Sequence, residues 1–378
     1  MQVRFHSTVE EIDPSSWDRL VRDNNPFLKH AFHAALERHG CVGRQYGWQP
    51  NPIVLYQNGR VVGFSPLYIK TNSYGEFVFD HAWADAYRRS GLNYYPKLIA
   101  AVPYTPATGE RLLIDPQIDR AQATRTLVEA TLERAREKQF SSMHWLFTTR
   151  EEGEELLSLG IPERLGVQFH WYNRGYGDFE DFLAQLTAKR RKNIRRERRK
   201  VAEQQFHFRL LHGSEVTAAE WQRFAEFYAK TFEERFSLPT LNYGFFAEIG
   251  RTLGDQVILI LAYLENSCVA GALLYRSDSV LYGRHWGGIS DFDSLHFETC
   301  YYQGIEYAIA QKLQRFEPGA QGEHKIWRGF LPTLTRSYHW IADRRFRAAI
   351  DDFLLRETPA IQNYYAELAE NSPYRVDI

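Results

Sequence analysis

Ionisable side chains are concentrated in one short segment, Phe316–Arg328, which reads FEPGAQGEHKIWR. Because Pro and Gly interrupt this segment, we predict a loop. Loops held on a rigid scaffold often carry function. Glu323 and His324 are candidates for proton transfer, whereas Lys325 and Arg328 could bind an anion. A tight, hydrogen-bonded turn with surface charges is the alternative interpretation.

A predicted strand ahead of this segment carries further candidates for substrate binding. It reads YGRHWGG from Tyr282 and ends in two Gly residues that would let the chain turn or approach a ligand. Because strand side chains alternate, Arg284 and Trp286 are expected on one face and His285 on the other. A buried aromatic strand is the alternative.

The helix predicted to follow this strand adds a carboxylate and a phenol. Glu298 and Tyr302 are four residues apart and therefore share a helix face. Glu298 is a candidate general base for an amine, and Tyr302 is a candidate proton donor to a leaving group. The alternative is that the carboxylate only complements the helix dipole.

A basic run, Lys189–Lys200, reads KRRKNIRRERRK, in which nine of 12 residues are Lys or Arg. Like charges on one helix are unfavourable, so this run predicts an anionic partner such as the phosphates of a coenzyme A or an RNA. The candidate phosphate-binding residues are Lys189, Arg190, Arg191, Lys192, Arg195 and Arg196. The alternative is a solvated face paired with Glu180 and Asp181. The run lacks interleaved aromatic residues, which favours binding of phosphates over reading of bases.

The first half of the chain has a polar stretch of its own, predicted as a loop at His81–Gly91. Around it lie candidates for substrate binding, which could equally serve in capping and packing. They are Asp80, Trp83, Asp85, Tyr94, Tyr95 and Lys97.

The composition excludes several classes of protein. The 378 residues include 46 Lys and Arg against 47 Asp and Glu, so no global attraction to nucleic acid or membrane is expected. Three distant Cys residues predict neither a disulfide framework nor a metal site. No secretory signal is visible, and the longest apolar run, Val257–Leu264, is too short to span a bilayer. These features predict a soluble, cytoplasmic protein with no membrane insertion, no metal and no tightly bound cofactor.

The order of predicted elements repeats in the two halves. In the first half, Asn58-Gly59 predicts a hairpin, followed by a strand at Glu76–Asp80 and a helix near Tyr94–Ala101. In the second half, a hairpin, a strand and a helix follow in the same order from residue 257 to 313. Equivalent residues are expected about 203 to 208 positions apart. The expected pairs are Trp17 with Trp221, Gly63 with Gly271, Trp83 with Trp286, and Tyr94-Tyr95 with Tyr301-Tyr302.

We therefore predict an α/β protein with mixed sheets and two related domains, 1–175 and 176–378. The second domain would begin with one long basic helix, 178–202, and end in a C-terminal helical region.

Long sequence blocks make the chain resemble the Fem-type (FemAB-like, peptidoglycan biosynthesis/recognition) branch of the GNAT acyltransferase superfamily. The blocks are NPFL at 25–28, GEFVFDHAWADAY at 75–87, YYPKL at 94–98, VPYTPATGERLL at 102–113, KRRKNIRRERRK at 189–200, LYGRHWG at 281–287, LHFETCYYQGIE at 295–306 and FEPGAQGEHKIWRGF at 316–330. The resemblance implies tandem GNAT-like domains and acyl or aminoacyl transfer. The Q/R-x-x-G-x-G/A loop of GNAT proteins that use acetyl-CoA is missing from both polar loops.

The resulting hypothesis is an N-acyltransferase that uses acyl-CoA or aminoacyl-tRNA as co-substrate and a small-molecule or peptide amine as acceptor. Glu298, Glu323 or His324 would act as the base, and Arg284, Lys325 or Arg328 would hold negative charge. The basic helix would bind donor phosphates, including those of a tRNA. One alternative is a binding protein for a muropeptide-like or RNA ligand without turnover, and another is a structural protein whose basic helix docks on an acidic surface.

Overall fold

A computed structural model describes residues 1–320 and 322–375, which form two compact units. The first unit contains Met1–Arg22, Phe27–Val167 and Leu334–Tyr364. The second contains Asp23–Pro26, Gln168–Thr333 and the segment from Tyr365 onward. A single boundary was predicted between residues 175 and 176, whereas residues 334–364 belong to the first compact unit.

The chain contains both strands and helices in each unit, as predicted for a mixed α/β protein. The strands are β1 (Gln2–Phe5), β2 (Trp48–Pro50), β3 (Ile53–Gln57), β4 (Arg60–Ser65), β5 (Leu67–Lys70), β6 (Lys97–Ala100), β7 (Leu113–Ile114), β8 (Ser142–Leu146), β9 (Glu163–Tyr172), β10 (Phe206–His212), β11 (Val257–Leu264), β12 (Ser267–Arg276), β13 (Val280–Gly288), β14 (Arg315–Glu317) and β15 (Leu331–Ile341). The helices are α1 (Pro14–Asp18), α2 (His30–Arg38), α3 (His81–Arg89), α4 (Arg120–Glu137), α5 (Arg150–Ser158), α6 (Phe179–Gln185), α7 (Ala188–Glu203), α8 (Ala218–Glu233), α9 (Tyr243–Leu253), α10 (Leu295–Phe297), α11 (Gln303–Ala310) and α12 (Arg344–Glu370). A π-helical turn, Glu298–Tyr302, joins α10 to α11.

The first unit has two groups of paired strands around its core. One has the order β1-β3-β4-β7, and the other has the order β15-β8-β6-β5-β2. The predicted hairpin is confirmed, since Asn58 and Gly59 have positive φ angles between β3 and β4. Only Pro66 separates β4 from β5, and its missing N–H interrupts the ladder there. Strand β6 pairs in parallel with β8, and α4 makes the crossover between them.

The second unit has the strand order β10-β11-β12-β13-β14-β9. All neighbours run antiparallel except β13 and β14, which are parallel. The chain passes from β13 to β14 through α10, the π turn and α11. A parallel pair needs such a crossover.

The same order of strands and helices occurs in both units, but the spacing is not constant. Strands β3 and β11 begin at 53 and 257, which is 204 apart, whereas β6 and β13 begin at 97 and 280, which is 183 apart. The first unit has additional chain between its hairpin and β6, and this chain includes α3. The constant spacing that the sequence analysis expected therefore ends after the hairpin.

Three predictions are wrong in this region, where the first unit has the additional chain. Residues 76–80 are not a strand, residues 81–89 form helix α3 instead of a loop, and β6 replaces the helix expected near Tyr94–Ala101. Trp83 therefore lies on a helix and Trp286 on a strand, so the two are not equivalent. Tyr94 and Tyr95 precede a strand, whereas Tyr301 and Tyr302 lie in the π turn.

The single long helix expected at 178–202 is also wrong, because α6 and α7 are separate. Leu186 between them has an extended backbone and forms an isolated β-bridge with Tyr374. The backbone N–H of Thr187 donates to Pro373 O at 2.9 Å. These contacts replace the hydrogen bonds that a continuous helix would need.

Among the described residues, no helix is both long enough and apolar enough to cross a membrane.

A buried polar network occupies the first unit beside β6. The Lys97 ammonium donates to Glu76 Oε2 at 2.8 Å and also contacts Asp80. Tyr94 donates to the Asp80 carboxylate at 2.6 Å, and its hydroxyl lies 3.2 Å from His144 Nε2. Burial opposes the charge on Lys97, but the two carboxylates raise its pKa above the ordinary value. Burial lowers the pKa of His144 to about 3, so this ring is neutral at pH 7.

We expect Lys97→Met to lower the free energy of unfolding by about 3–5 kcal/mol, because two buried carboxylates would lose their cation. Urea denaturation, followed by intrinsic tryptophan fluorescence, measures the change in the free energy of unfolding. Lys138→Met is the matched control, since Lys138 is exposed at the end of α4, and it should change the stability by less than about 0.5 kcal/mol. Equal stability of the two variants would contradict a structural role for Lys97.

Candidate active site of the second unit

A β-bulge in β13 determines where the candidate site forms. Leu273 of β12 pairs with His285, whereas the next residue, Leu274, pairs with Gly283. Arg284 is therefore the extra residue of the bulge. Bulges bend a strand locally and redirect a side chain, and they are frequent beside active sites.

The parallel pair β13–β14 also opens at this point. The two strands pair only from Val280 to Tyr282, opposite Arg315 to Glu317. Beyond Glu317, Pro318 offers no N–H for a further ladder bond. The strands separate there, and their separation leaves space beside the bulge.

A cavity of about 130 Å³ fills this space. Its lining comes from β12, β13, α10, the π turn and the residue after β14. The lining residues are Ala272, Leu273, Leu274, Gly283, Arg284, His285, Trp286, His296, Cys300, Tyr301 and Pro318.

The π turn brings Tyr301 to the cavity wall. A π turn contains one more residue than an α-helical turn, and such turns are frequent at functional sites. The Tyr301 hydroxyl lies 3.1 Å from His324 Nε2, in the segment that the sequence analysis singled out. Burial raises the pKa of Tyr301, so the phenol keeps its proton. Burial and the neighbouring Arg328 and Lys325 lower the pKa of His324 below its ordinary value.

The histidines of the cavity are also neutral at pH 7. Burial, with smaller contributions from His324 and Arg328, lowers the pKa of His296 to about 4. Burial, followed by the charge of Arg284, lowers the pKa of His285 well below its ordinary value. The ring of His285 packs on Tyr228 of α8, whereas Trp286 packs on His296 of α10. His285 and Trp286 thus contact different helices, and the bulge at Arg284 interrupts the alternation from which the faces of this strand were predicted.

Two cations lie at or near the cavity, namely Arg284, which is partly buried and lines it, and Lys325, which is buried. Burial lowers the pKa of Arg284 to about 10 and that of Lys325 to about 8. Lys325 is 3% exposed, and its ammonium donates to Gly319 O at 2.9 Å. The positive charge of Arg284 also contributes to the lowered pKa of Lys325.

Glu298 shares a helix face with Tyr302 as predicted, but this face meets α7. Arg198 of α7 donates to both Glu298 oxygens, at 3.0 and 3.1 Å, and Gln303 donates to one of them at 2.8 Å. Burial raises the pKa of Glu298 and Arg198 opposes this rise. A carboxylate held this way is poorly placed to act as a base.

Arg328 and Tyr302 are held by Glu197, the one acidic residue of the basic run. Arg328 donates to the two Glu197 oxygens at 2.7 and 3.1 Å, and Tyr302 donates to the same carboxylate. The guanidinium of Arg328 also lies 3.4 Å from the ring centre of Phe297. Glu323, by contrast, is exposed at the start of a 3₁₀ helix that runs to Arg328.

Helix α7 presents its other cations outward. Lys189, Lys192, Arg195 and Arg196 are exposed, and Arg195 pairs with Glu180 as the alternative interpretation expected. Arg190 and Arg191 are partly buried. Arg190 lies over the ring of Trp327 at 5.2 Å, and this Trp is 51% exposed. An aromatic side chain from another segment therefore accompanies the run.

The candidates of the first unit belong to the buried network around Lys97. Asp80, Tyr94 and Lys97 contact one another, and Tyr95 reaches Asp80 through Ser73. Trp83 belongs to the same buried cluster as Tyr94. Trp83 packs on His339 at 5.0 Å, and Asp85 is on the exposed side of α3 with Arg88 and Arg89. Substrate binding by these residues stays a prediction.

His296, Cys300 and Tyr301 line the cavity but were not predicted from the sequence as site residues. An α-helical period places Glu298 and Tyr302 together but says nothing about a π turn. The aromatic density of the run from His296 to Tyr302 was the available signal.

The comparisons with known proteins agree with this architecture. The family model described as FemAB-like, peptidoglycan biosynthesis/recognition, matches residues 8–376. The chain therefore belongs to the FemAB-like family. A search of curated proteins found no match.

Solved structures with the same fold are distant in sequence. The crystal structure of FemX is 13% identical with a TM-score of 0.54, and the match covers 93% of this chain and 100% of that chain. The C-terminal domain of a proposed lysylphosphatidylglycerol synthetase from Agrobacterium fabrum is 11% identical with a TM-score of 0.54, over 92% and 98% of the two chains. L-PGS from Bacillus licheniformis is 10% identical with a TM-score of 0.51, over 83% and 91%.

We expect Arg198→Met to lower the free energy of unfolding by about 1–3 kcal/mol, because the buried Glu298 carboxylate would lose its principal donor. Adding Glu298→Gln should recover part of the loss, since the amide carries no charge. Chemical denaturation of the two variants measures both changes. Arg199→Met, at the exposed neighbouring position, serves as the control, and an equal effect there would refute the assigned pairing.

Proposed function

We propose that the protein is an N-acyltransferase that moves an acyl or aminoacyl group from an activated donor to an amine. The observation that carries this proposal is the cavity at the β13 bulge, where the Tyr301 phenol is hydrogen-bonded to the His324 imidazole and the cations of Arg284 and Lys325 are close by. Membership in the FemAB-like family supports a role in peptidoglycan biosynthesis or recognition. The FemX and lysylphosphatidylglycerol synthetase structures share the fold and are consistent with transfer to an amine or a lipid.

In this proposal, Tyr301 and His324 form the proton relay. The amine nitrogen attacks the carbonyl carbon of the donor and forms the new N–C bond. His324 accepts the proton that the amine loses, and Tyr301 donates its proton to the oxygen or sulfur that leaves. The hydrogen bond between them lets the proton return from His324 to Tyr301. Tyr301 thus takes the role that the sequence analysis assigned to Tyr302, which is held by Glu197.

The negative charge that develops on the carbonyl oxygen needs a positive group nearby. Arg328 is less suited to this role, because its guanidinium binds Glu197 on two atoms. Lys325 is buried near the cavity, and its ammonium, which has three N–H donors, donates to the backbone carbonyl of Gly319. We therefore assign the stabilisation of this oxyanion to Lys325.

The donor would lie along the outer face of α7. Acyl-CoA and aminoacyl-tRNA both combine phosphates with an adenine base, and this surface combines exposed cations with the exposed Trp327. The exposed surface also supports a second candidate function, the binding of a muropeptide-like or RNA ligand without turnover. A cytoplasmic location is part of the proposal, because both donors are made there.

Turnover separates the two candidate functions. The full chain is incubated with labelled acyl-CoAs or charged tRNAs and a panel of amines, and products are detected by intact mass. Tyr301→Phe and His324→Ala should each lower kcat on the productive pair by about 10²- to 10⁴-fold, because a general acid–base group is lost. Tyr307→Phe on α11 is the control and should keep kcat within a few-fold. Unchanged turnover in Tyr301→Phe would reject the relay, and no product from any pair would favour the binding protein.

The contribution of α7 is tested by salt dependence. We expect Lys192→Ala and Arg196→Ala each to weaken binding of a single-stranded RNA 12-mer and to reduce the slope of log K against log salt by about 0.7. Fluorescence anisotropy from 50 to 300 mM salt measures both. Arg251→Ala, an exposed cation of α9, should leave the slope unchanged. Binding that does not respond to salt would count against phosphate contacts.

A further inference from the structure

We infer that a groove of the first unit, between the end of α5 and α12, binds an aliphatic amine. The groove takes no part in the proposed function, whose candidate residues lie in the second unit, so the inference stands independently of the acyltransferase. It follows from the size of the groove, from its apolar walls and from the polar groups within those walls.

The size of the groove suits a small molecule. Its volume is about 690 Å³, and pockets for small molecules range from about 300 to 1,000 Å³. Eleven residues line it, from the segment 157–163 and from α12. Each side of a standard protein–protein interface has about 20 to 30 residues, so the groove is too small to hold a folded partner by itself.

Both walls of the groove are mainly apolar. Leu157 is 47% exposed and Leu355 is 75% exposed, so the fold leaves aliphatic surface uncovered on each side. A single exposed Leu is ordinary, but apolar surface that is grouped around a concavity is typical of a binding groove. An alkyl chain in the groove would remove both Leu side chains from water.

Asp351 distinguishes an amine from other apolar ligands. This residue lines the groove and is partly buried. Within residues 1–320 and 322–375, its carboxylate makes no ion pair and no hydrogen bond. The next residue, Asp352, pairs with Arg356 at 2.7 Å. A carboxylate that an apolar ligand would cover needs a partner, and an ammonium on that ligand supplies one.

The other two charged side chains of the walls are already engaged. Glu163 pairs with Arg336 at 3.1 Å. Arg347 donates two N–H groups to the backbone oxygen of Ile341, at 2.6 and 2.9 Å. The walls thus carry two carboxylates and one guanidinium, which favours a cation over an anion, and Asp351 is the charge that such a cation would meet.

Pro359 adds an uncharged acceptor to the groove. Helix α12 continues through this residue. Because proline has no N–H, the carbonyl of Leu355, four residues earlier, lacks its usual helical hydrogen bond. Leu355 and Pro359 both line the groove, so this carbonyl lies at its wall. An ammonium has three N–H donors and no acceptor, and it therefore matches walls that offer acceptors.

The ligand class that follows is a primary amine on an unbranched aliphatic chain. At about 30 Å³ per heavy atom, the volume of a water molecule in the liquid, an ammonium with eight carbons occupies roughly 270 Å³. The groove accommodates this volume. In the bound state the chain contacts Leu157 and Leu355, and the ammonium pairs with Asp351.

Binding of small probes to the full chain tests the inference without any turnover. Saturation-transfer NMR compares n-octylamine with 1-octanol, octanoate and n-butylamine, each below the concentration at which it aggregates. We expect octylamine to bind at least tenfold more tightly than octanol or octanoate, which lack the positive charge. Butylamine should also bind at least tenfold more weakly, because it has half of the chain. Equal or tighter binding of octanol or octanoate would overturn the inference.

Variants locate the probe site. Asp351→Asn should weaken octylamine binding at least tenfold and remove the preference over octanol, because the amide keeps the size of the side chain without its charge. Asp352→Asn is the matched control and should bind octylamine as the natural chain does. Leu355→Gln should weaken octylamine and octanol alike, whereas Leu238→Gln, at a position that is also 75% exposed, should weaken neither. Near-ultraviolet circular dichroism checks that each variant is folded. Octylamine binding that survives in both Asp351→Asn and Leu355→Gln would place the probe elsewhere and refute the groove.

A second copy of the chain is the competing occupant, and it gives a different result. Gel filtration with light scattering measures the oligomeric state of the natural chain and of Leu355→Gln. We expect the two to have the same oligomeric state, because the groove is a site for a small molecule. A dimer that Leu355→Gln converts to a monomer would assign the groove to self-association and overturn the inference.

Discussion

The ion pair between Glu197 and Arg328 is the interaction on which the candidate site depends. Glu197 is the one acidic residue of the run Lys189–Lys200, and its carboxylate also accepts a hydrogen bond from the Tyr302 hydroxyl. One side chain thus connects α7, the π turn and the segment that carries His324. Loss of Glu197 would leave Arg328, which is 5% exposed, as a buried charge without its partner. The position of His324 relative to Tyr301 therefore follows from a contact made by neither residue.

Packing around the bulge imposes a second constraint on the same site. Helix α8 lies so close to β13 that a Cβ atom at Gly287 would be 2.3 Å from the backbone oxygen of Phe227. The Thr231 hydroxyl of α8 donates to Phe227 O and to Trp286 O, at 3.0 and 3.2 Å. The Gly pair that follows the strand motif is thus explained by the approach of a helix, whereas the sequence alone also allowed the approach of a ligand.

Local sequence signals predicted the parts of the fold that depend on neighbouring residues. Asn58-Gly59 requires positive φ angles and so predicted the first hairpin, and the apolar run Val257–Leu264 became β11. Helix α3 was missed because its polar residues were read as a loop, although Trp83 and Tyr87 share a buried face. Tertiary contacts made by Leu186 and Thr187 divided the helix expected at 178–202, and no local pattern reports such contacts.

The segments that form the candidate site could be predicted from the sequence, but the contacts between their side chains could not. The sequence singled out the runs that contain Arg284, Glu298 and His324, because ionisable groups are dense there. It could not show that Arg198 would engage Glu298, since the two are 100 residues apart. The π turn shifts the helix period by one residue and exchanges Tyr302 for Tyr301 at the cavity, which an α-helical pattern does not describe.

The absence of a side chain at Gly287 has a mechanical consequence for how this site can vary. Since α8 rests directly on the backbone of β13, a displacement of the helix would be transmitted to the bulge without a deformable side chain in between. A substitution on the far side of α8 that displaces the helix would therefore also displace the strand backbone beside Arg284. Sequence drift on that helix is a route by which related proteins could change substrate preference while every cavity residue stays the same.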